Sequence, residues 1–132
     1  LETRQLLWEK PIGTAKHTGP LGIPTGLPLT VGTPQTGGTV TTAGGLIFSA
    51  GAFDNTVRAT ALSDGREVWN HPLPFTAQGT PMTYLSPGGK QTLIVVVPVF
   101  NSTRGNGYQP LPAYEEDPLG GYVFAFRLPE AM

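Results

Sequence analysis

Short apolar runs, separated by turn residues, follow one another from residue 39 onward. Four of them occupy residues 39–42, 46–50, 56–62 and 66–69, and turns rich in Gly, Asp and Asn separate them. Runs this short, with such turns between them, predict antiparallel β-strands rather than helices. Four short strands within about 35 residues match the size of one β-propeller blade.

The same pattern restarts after residue 76. Apolar runs at residues 80–85 and 91–97 flank a Pro-Gly-Gly turn, and a last run follows at residues 121–128. A long loop, residues 101–120, precedes that last run. We therefore predict a second unit of three strands, without a fourth.

The first 38 residues differ from the rest. Residues 5–10 have the composition of a short strand that ends before Pro11. Residues 12–38 are rich in Gly, Pro and Thr and show no helical or strand period, which predicts a long connection. The predicted units are residues 1–38, an outer strand of a preceding blade with its connection; residues 39–76, one complete four-stranded blade; and residues 77–132, three strands of the closing blade.

About eight short antiparallel strands predict an all-β fold, the C-terminal blades of a β-propeller. An internal repeat supports this prediction, because residues 7–12 and 68–73 share the order apolar, Trp, two polar residues, Pro, apolar. A propeller closes when one terminus completes the blade begun by the other. We therefore expect this chain, which opens on Leu1, to be a fragment, and the N-terminal blades of a longer protein to supply the absent strand.

The composition of the chain argues against several other classes of protein. The 18 Gly and 14 Pro fit a chain of many turns, and zero Cys excludes disulfides and cysteine-bound metals. The net charge of −1, with no basic block, argues against nucleic acid as a partner. No apolar run approaches the roughly 20 residues that a membrane-spanning helix needs.

Residues 59–69 resemble the tryptophan-docking repeat of quinoprotein propellers. Ala59 opens the strand, Gly65 makes the turn, and Trp69 occupies the position of the ring that docks between neighbouring blades. Ala61 stands where that family usually has Asp. A large flat ring between sheets buries apolar area while its N–H finds a backbone acceptor, so Trp8 and Trp69 are predicted to pack between blades.

Longer stretches resemble membrane-bound PQQ-dependent dehydrogenases of the glucose and quinate/shikimate subgroup. They are residues 7–14, 18–24, 37–48, 78–84 and 121–129. The resemblance implies an eight-bladed propeller in the periplasm, in a parent protein anchored to the inner membrane. It also implies pyrroloquinoline quinone (PQQ) with calcium or magnesium as cofactors, a sugar, polyol or cyclic hydroxy acid as substrate, and ubiquinone as electron acceptor.

In that family the metal ligands and an Asp general base belong to earlier blades. We therefore expect no catalytic and no metal-binding residue here, and no cofactor bound by the chain alone. Gly37 and Gly38 are the best candidates for contact with the cofactor, since they open the innermost strand of a blade. The alternative is a turn that simply needs glycine.

Residues 97–100, Val-Pro-Val-Phe, stand where relatives carry a Gly-rich run near the cofactor. Bulkier residues there favour a second hypothesis, a non-enzymatic propeller that serves as a periplasmic binding or assembly scaffold. His17 and His71 have no ligand-like spacing, which predicts loop or surface roles. The acidic residues 115–117 lack the alternating oxygen ligands of a calcium loop and predict a solvated loop.

Overall fold

Two antiparallel β-sheets make up the computed structural model, which describes residues 4–17, 23, 25–98 and 121–127. The first sheet has the order β1 (Thr39–Thr41), β2 (Leu46–Ser49), β3 (Thr56–Ala61), β4 (Glu67–Pro72). The second has the order β5 (Met82–Leu85), β6 (Gln91–Val97), β7 (Tyr122–Arg127). Within the described ranges there is no helix, and so none that could cross a bilayer.

The seven strands lie where the apolar runs predicted them, which confirms the all-β prediction. Residues 5–10, the eighth predicted strand, have no regular structure in this chain, and their place as the outer strand of a preceding blade stays a prediction. A strand needs a hydrogen-bonded neighbour, and no backbone hydrogen bond ties residues 5–10 to another described segment. The predicted loop 101–120, its acidic residues 115–117, and residues 99 and 100 lie outside the described residues.

The predicted hairpin turn between β3 and β4 is confirmed. Gly65 has a φ of +73°, and its N–H donates to the carbonyl of Ala61 at 3.0 Å. The Arg66 N–H donates to the Asp64 carboxylate at 2.9 Å. After the turn, β4 continues through Pro72, beyond the predicted end at residue 69. A proline is tolerated there because β4 is the edge strand of its sheet.

The hydrophobic core lies between the two sheets. Val57 of β3 is fully buried, and Val95 and Val97 of β6 are fully buried opposite it. Leu73 and Phe75, which follow β4, complete the centre of this layer. The remaining buried members are Ala50, Ala77 and Leu93, with Phe48, Tyr122, Phe124 and Phe126 packed around them.

The described residues of the long connection form no regular strand, as predicted, but they fold back on one another in an ordered way. The Thr33 N–H donates to the Ile12 carbonyl at 2.8 Å, and the Ala15 N–H donates to the Leu29 carbonyl at 3.0 Å. Residues 10–17, where the connection begins, lie over the face of the first sheet that points away from the second sheet. Arg58, on that face of β3, is therefore buried although it is charged.

Both tryptophans join successive layers, which confirms their predicted packing role. The Trp8 indole N–H donates to the Leu62 carbonyl at 2.8 Å, and its ring lies against Gly65 of the same turn. Trp69 of the first sheet meets Phe126 of the second edge-on, with ring centroids 5.1 Å apart. Each indole thus docks on the sheet that follows it in the chain.

Candidate functional site

Gly37 and Gly38 lie at a tight junction between the start of β1 and the segment that enters β5. A Cβ on Gly37 would collide with the Ala50 carbonyl oxygen and would lie 3.0 Å from that of Gly79. A Cβ on Gly38 would collide with the Thr80 hydroxyl and lie 3.2 Å from its Cβ. Real Cβ atoms do not approach other atoms so closely, so chain packing by itself requires both glycines.

The segment between β2 and β3 also belongs to this junction. Gly51 has a φ of +108°, and a Cβ there would lie 2.7 Å from the Ala77 carbonyl oxygen and collide with the Gly37 backbone. The Thr36 hydroxyl donates to the carbonyls of Gly51 at 3.2 Å and Ala77 at 3.0 Å. Three backbone segments therefore meet with almost no side chains between them. Contact between a cofactor and Gly37 or Gly38 stays a prediction.

A compensated substitution separates packing from cofactor contact at Gly38. Gly38→Ala alone is expected to destabilise the fold by about 1–3 kcal/mol, because its methyl group overpacks against Thr80. Adding Thr80→Ala removes the colliding hydroxyl and is expected to restore most of that stability. The measurement is urea denaturation of the single and double variants.

The second readout uses the longer protein in which this chain forms a part. If Gly38 contacts the cofactor, the stable double variant still binds PQQ more weakly, because its methyl group remains beside the ring. Unchanged PQQ affinity in the double variant would show that Gly38 serves packing alone.

A buried ionic cluster lies on the opposite side of the first sheet, around Arg58 at the centre of β3. The Arg58 guanidinium donates to both Asp54 carboxylate oxygens, at 3.0 Å from Nη1 to Oδ1. Its Nε donates to Glu67 Oε2 at 3.0 Å, and Nη1 also donates to the Thr56 carbonyl at 3.2 Å. The side chains of Arg58 and Asp54 are only 10% and 4% exposed. Charges buried to this degree are stable only when they are paired in this way.

The cluster also holds the connection against the sheet. The Thr14 N–H donates to Asp54 Oδ2 at 3.1 Å, and Asn70 Nδ2 donates to Glu67 Oε1 at 2.6 Å. Each of the four carboxylate oxygens of Asp54 and Glu67 thus accepts at least one hydrogen bond. Because their oxygens already accept hydrogen bonds within the chain, the two carboxylates are poorly suited to bind a metal ion or to act as a base.

A cavity of about 550 Å³ lies between this cluster and the connection. Lys10, Lys16 and His17 come from the connection side, and Arg58 and Asp54 come from the sheet. Burial lowers the pKa of His17, the neighbouring Lys16 ammonium lowers it further, and the Asp54 carboxylate partly opposes them. His17 therefore favours its neutral form near pH 7.

Sequence analysis missed this cluster. A signal was present, because Arg58 interrupts the apolar residues of β3 and Asp54 precedes it by four positions. His17, predicted to have a loop role, lies in the connection and lines the cavity. His71 is exposed on β4 and stacks on Trp69, with ring centroids 6.3 Å apart. Among the described residues, no three His, Asp or Glu side chains could together hold a metal ion.

The family of the chain follows from a match that covers most of its length. Residues 1–93 match the PQQ family model, described as the β-propeller domain of glucose/ethanol/alcohol dehydrogenases. The chain belongs to this family. The two antiparallel sheets and the two docked tryptophans agree with a place among the blades of a PQQ propeller.

Two individual relatives indicate which subgroup of the family the chain resembles. The chain is 47% identical over 129 residues to quinate/shikimate dehydrogenase (quinone) of Acinetobacter baylyi, covering 97% of this chain and 14% of that protein. It is 35% identical over 130 residues to quinoprotein glucose dehydrogenase of Escherichia coli (strain K12), covering 98% of this chain and 15% of that protein. These relatives confirm the predicted resemblance to the glucose and quinate/shikimate subgroup.

A solved structure supports the fold independently of the sequence. The europium-containing methanol dehydrogenase superposes with a TM-score of 0.55 at 24% identity, covering 72% of this chain and 19% of that one. At this identity the likeness concerns the fold alone. It confirms the propeller prediction.

Proposed function

We propose that this chain is the C-terminal portion of a PQQ-dependent dehydrogenase that oxidises a sugar, polyol or cyclic hydroxy acid and passes the electrons to membrane quinone. One observation carries the proposal: the similarity to quinate/shikimate dehydrogenase (quinone) runs along 97% of this chain but spans only 14% of that protein. The chain is thus similar to a small part of a much longer enzyme. The word quinone in the name of that relative supports the proposed electron acceptor.

In this proposal the chain forms part of the propeller wall and helps to close its ring of blades. The residues that carry out the oxidation lie in other blades. The first sheet, residues 39–76, forms one complete blade, and residues 77–132 form three strands of the closing blade. Among the described residues, the outer edge of β7 has no paired strand. The N-terminal blades of the same longer protein are the proposed partner at this edge, because an unpaired edge leaves backbone donors and acceptors unused.

We propose that the described residues do not by themselves form a complete site for the cofactors of the family. At Gly37 and Gly38, the space that a Cβ would occupy is filled by Ala50, Gly79 and Thr80. The carboxylates nearest to a cavity, Asp54 and Glu67, are occupied by other groups of the chain. We therefore propose that PQQ and its calcium or magnesium ion are held by residues outside the described part of this chain.

The proposed location is the periplasm, with the longer protein anchored to the inner membrane. This location suits an enzyme that takes up soluble hydroxylated substrates and reduces a quinone in the lipid phase. It rests on the similarity to quinoprotein glucose dehydrogenase and to quinate/shikimate dehydrogenase (quinone).

A direct assay of the longer protein tests the function. Membranes that contain it are supplied with PQQ and calcium, then with glucose, glycerol or quinate, and reduction of a soluble ubiquinone analogue is followed. We expect quinone reduction with at least one substrate and none when PQQ is omitted. No reduction with any substrate, together with no PQQ binding, would contradict the proposal and favour the scaffold hypothesis.

A further inference from the structure

The carboxylate oxygens that line the cavity beside Arg58 are all occupied. Both oxygens of Asp54 and both oxygens of Glu67 accept hydrogen bonds from Arg58, Thr14 or Asn70. Several backbone carbonyls of the lining residues are also occupied. They belong to Ile12, Gly13, Lys16, Asp54, Asn55 and Thr56.

In contrast, some hydrogen-bond donors of the residues that line this cavity have no acceptor among the described atoms. The side-chain ammonium groups of Lys10 and Lys16 make no hydrogen bond or ion pair with any residue that the structure describes. The Nδ2 of Asn55 is buried without an acceptor among the described atoms, while its Oδ1 accepts from the Thr76 hydroxyl at 2.8 Å. A buried donor without a partner costs about 1–3 kcal/mol, so an acceptor that reached Asn55 Nδ2 would stabilise the fold.

We propose that this cavity binds a small molecule through a carboxylate or phosphate group, with Lys10 and Lys16 as the main contacts. An oxyanion supplies acceptors for two ammonium groups that have no counter-ion in the described chain. A cation is a poor fit, because Arg58 is paired with both lining carboxylates and, together with Lys10 and Lys16, makes the charge of the lining net positive. A volume of about 550 Å³ accommodates a ligand of metabolite size.

This site is separate from the proposed oxidation chemistry. Its residues come from the connection and from the outer strands β3 and β4, whereas Gly37 and Gly38 precede the inner strand β1. Loss of the oxyanion site therefore leaves the proposed dehydrogenase function untouched, and failure of either proposal does not decide the other.

The test is a titration of the ¹⁵N-labelled 132-residue chain with inorganic phosphate and, separately, with citrate, followed by amide chemical shifts. We expect saturable shifts at Thr14, Lys16 and Asn55. In the double variant Lys10→Gln, Lys16→Gln, affinity is expected to fall by about tenfold or more, since two charge-assisted hydrogen bonds are lost. Both substitutions keep long polar side chains at the mouth of the cavity, so the spectrum of the free chain should stay dispersed.

Lys90→Gln is the control, because it replaces a lysine by the same residue, glutamine, in the turn between β5 and β6, outside the cavity lining. Binding by the control variant should equal that of the unchanged chain. Saturable binding of phosphate alone identifies a phosphate group, and binding of citrate alone identifies a carboxylate. The proposal is overturned if neither anion produces saturable, localised shifts, or if Lys90→Gln weakens binding as much as the double variant.

Discussion

Arg58→Met is expected to destabilise the chain by about 3–5 kcal/mol, because it leaves Asp54 buried without its counter-charge. The Asp54 side chain is only 4% exposed, and Arg58 supplies hydrogen bonds to both of its oxygens. Methionine fills a similar volume, so the loss reports the missing charge and donors rather than a large cavity. The measurement is the free energy of unfolding in urea at pH 7.

Arg66→Met is the matched control for this prediction. Arg66 and Asp64 form an ion pair at 3.8 Å, with side chains 72% and 56% exposed. Exposed pairs contribute roughly 0–1 kcal/mol, so this variant should unfold almost like the unchanged chain. Equal losses at Arg58 and Arg66 would show that the buried cluster does not stabilise the fold.

Gly51→Ala is expected to cost about 3 kcal/mol or more, because backbone strain and overpacking act at the same place. The φ of +108° is unfavourable for any residue with a Cβ, and the added methyl group would lie 2.8 Å from the Gly37 Cα and 2.7 Å from the Ala77 carbonyl oxygen. Neither neighbour can yield easily, since both contacts are with backbone atoms. Thermal and urea unfolding of the purified variant check the size of the loss.

Gly88→Ala serves as its control. Gly88 lies in the turn between β5 and β6, and a Cβ there meets nothing within 4 Å. Replacing such a glycine reduces the entropy of the unfolded chain, so this variant should match the unchanged chain or gain up to about 1 kcal/mol. A loss at Gly88 as large as that at Gly51 would refute the explanation by close packing.

Much of the fold could be predicted from local patterns. Apolar runs with Gly- and Asp-containing turns located the seven strands, because strand pairing between sequence neighbours depends on turns that the sequence displays. The docking of Trp8 and Trp69 was also predicted, since a large flat ring packs well against the neighbouring sheet. Family resemblance then added the order of the blades, which no local pattern contains.

The features that were missed depend on contacts between distant segments. Residues 5–10 have the composition of a strand, but pairing decides whether a strand forms, and no described segment pairs with them. Gly37 was predicted to contact the cofactor or to lie in a turn that needs glycine, and the cofactor contact stays a prediction; the close approach of Ala50 and Gly79 was not visible in the sequence.

The candidate sites show the same limit. The cluster around Arg58 combines β3, β4 and the connection, and its cavity exists only because residues 10–17 return to the face of the first sheet. Periodicity along one strand cannot reveal such an arrangement. The charged residue in the centre of β3 was the one visible signal, because a buried charge requires partners.

We propose that this chain completes a PQQ propeller whose cofactor site lies mainly in other blades. A titration with PQQ and calcium, followed by calorimetry and by the absorbance of the quinone, tests it most directly on two samples: the 132-residue chain alone and the longer protein that contains it. We predict saturable binding by the longer protein and neither heat nor spectral change with the chain alone. Tight, saturable binding of PQQ by the isolated chain would contradict this account.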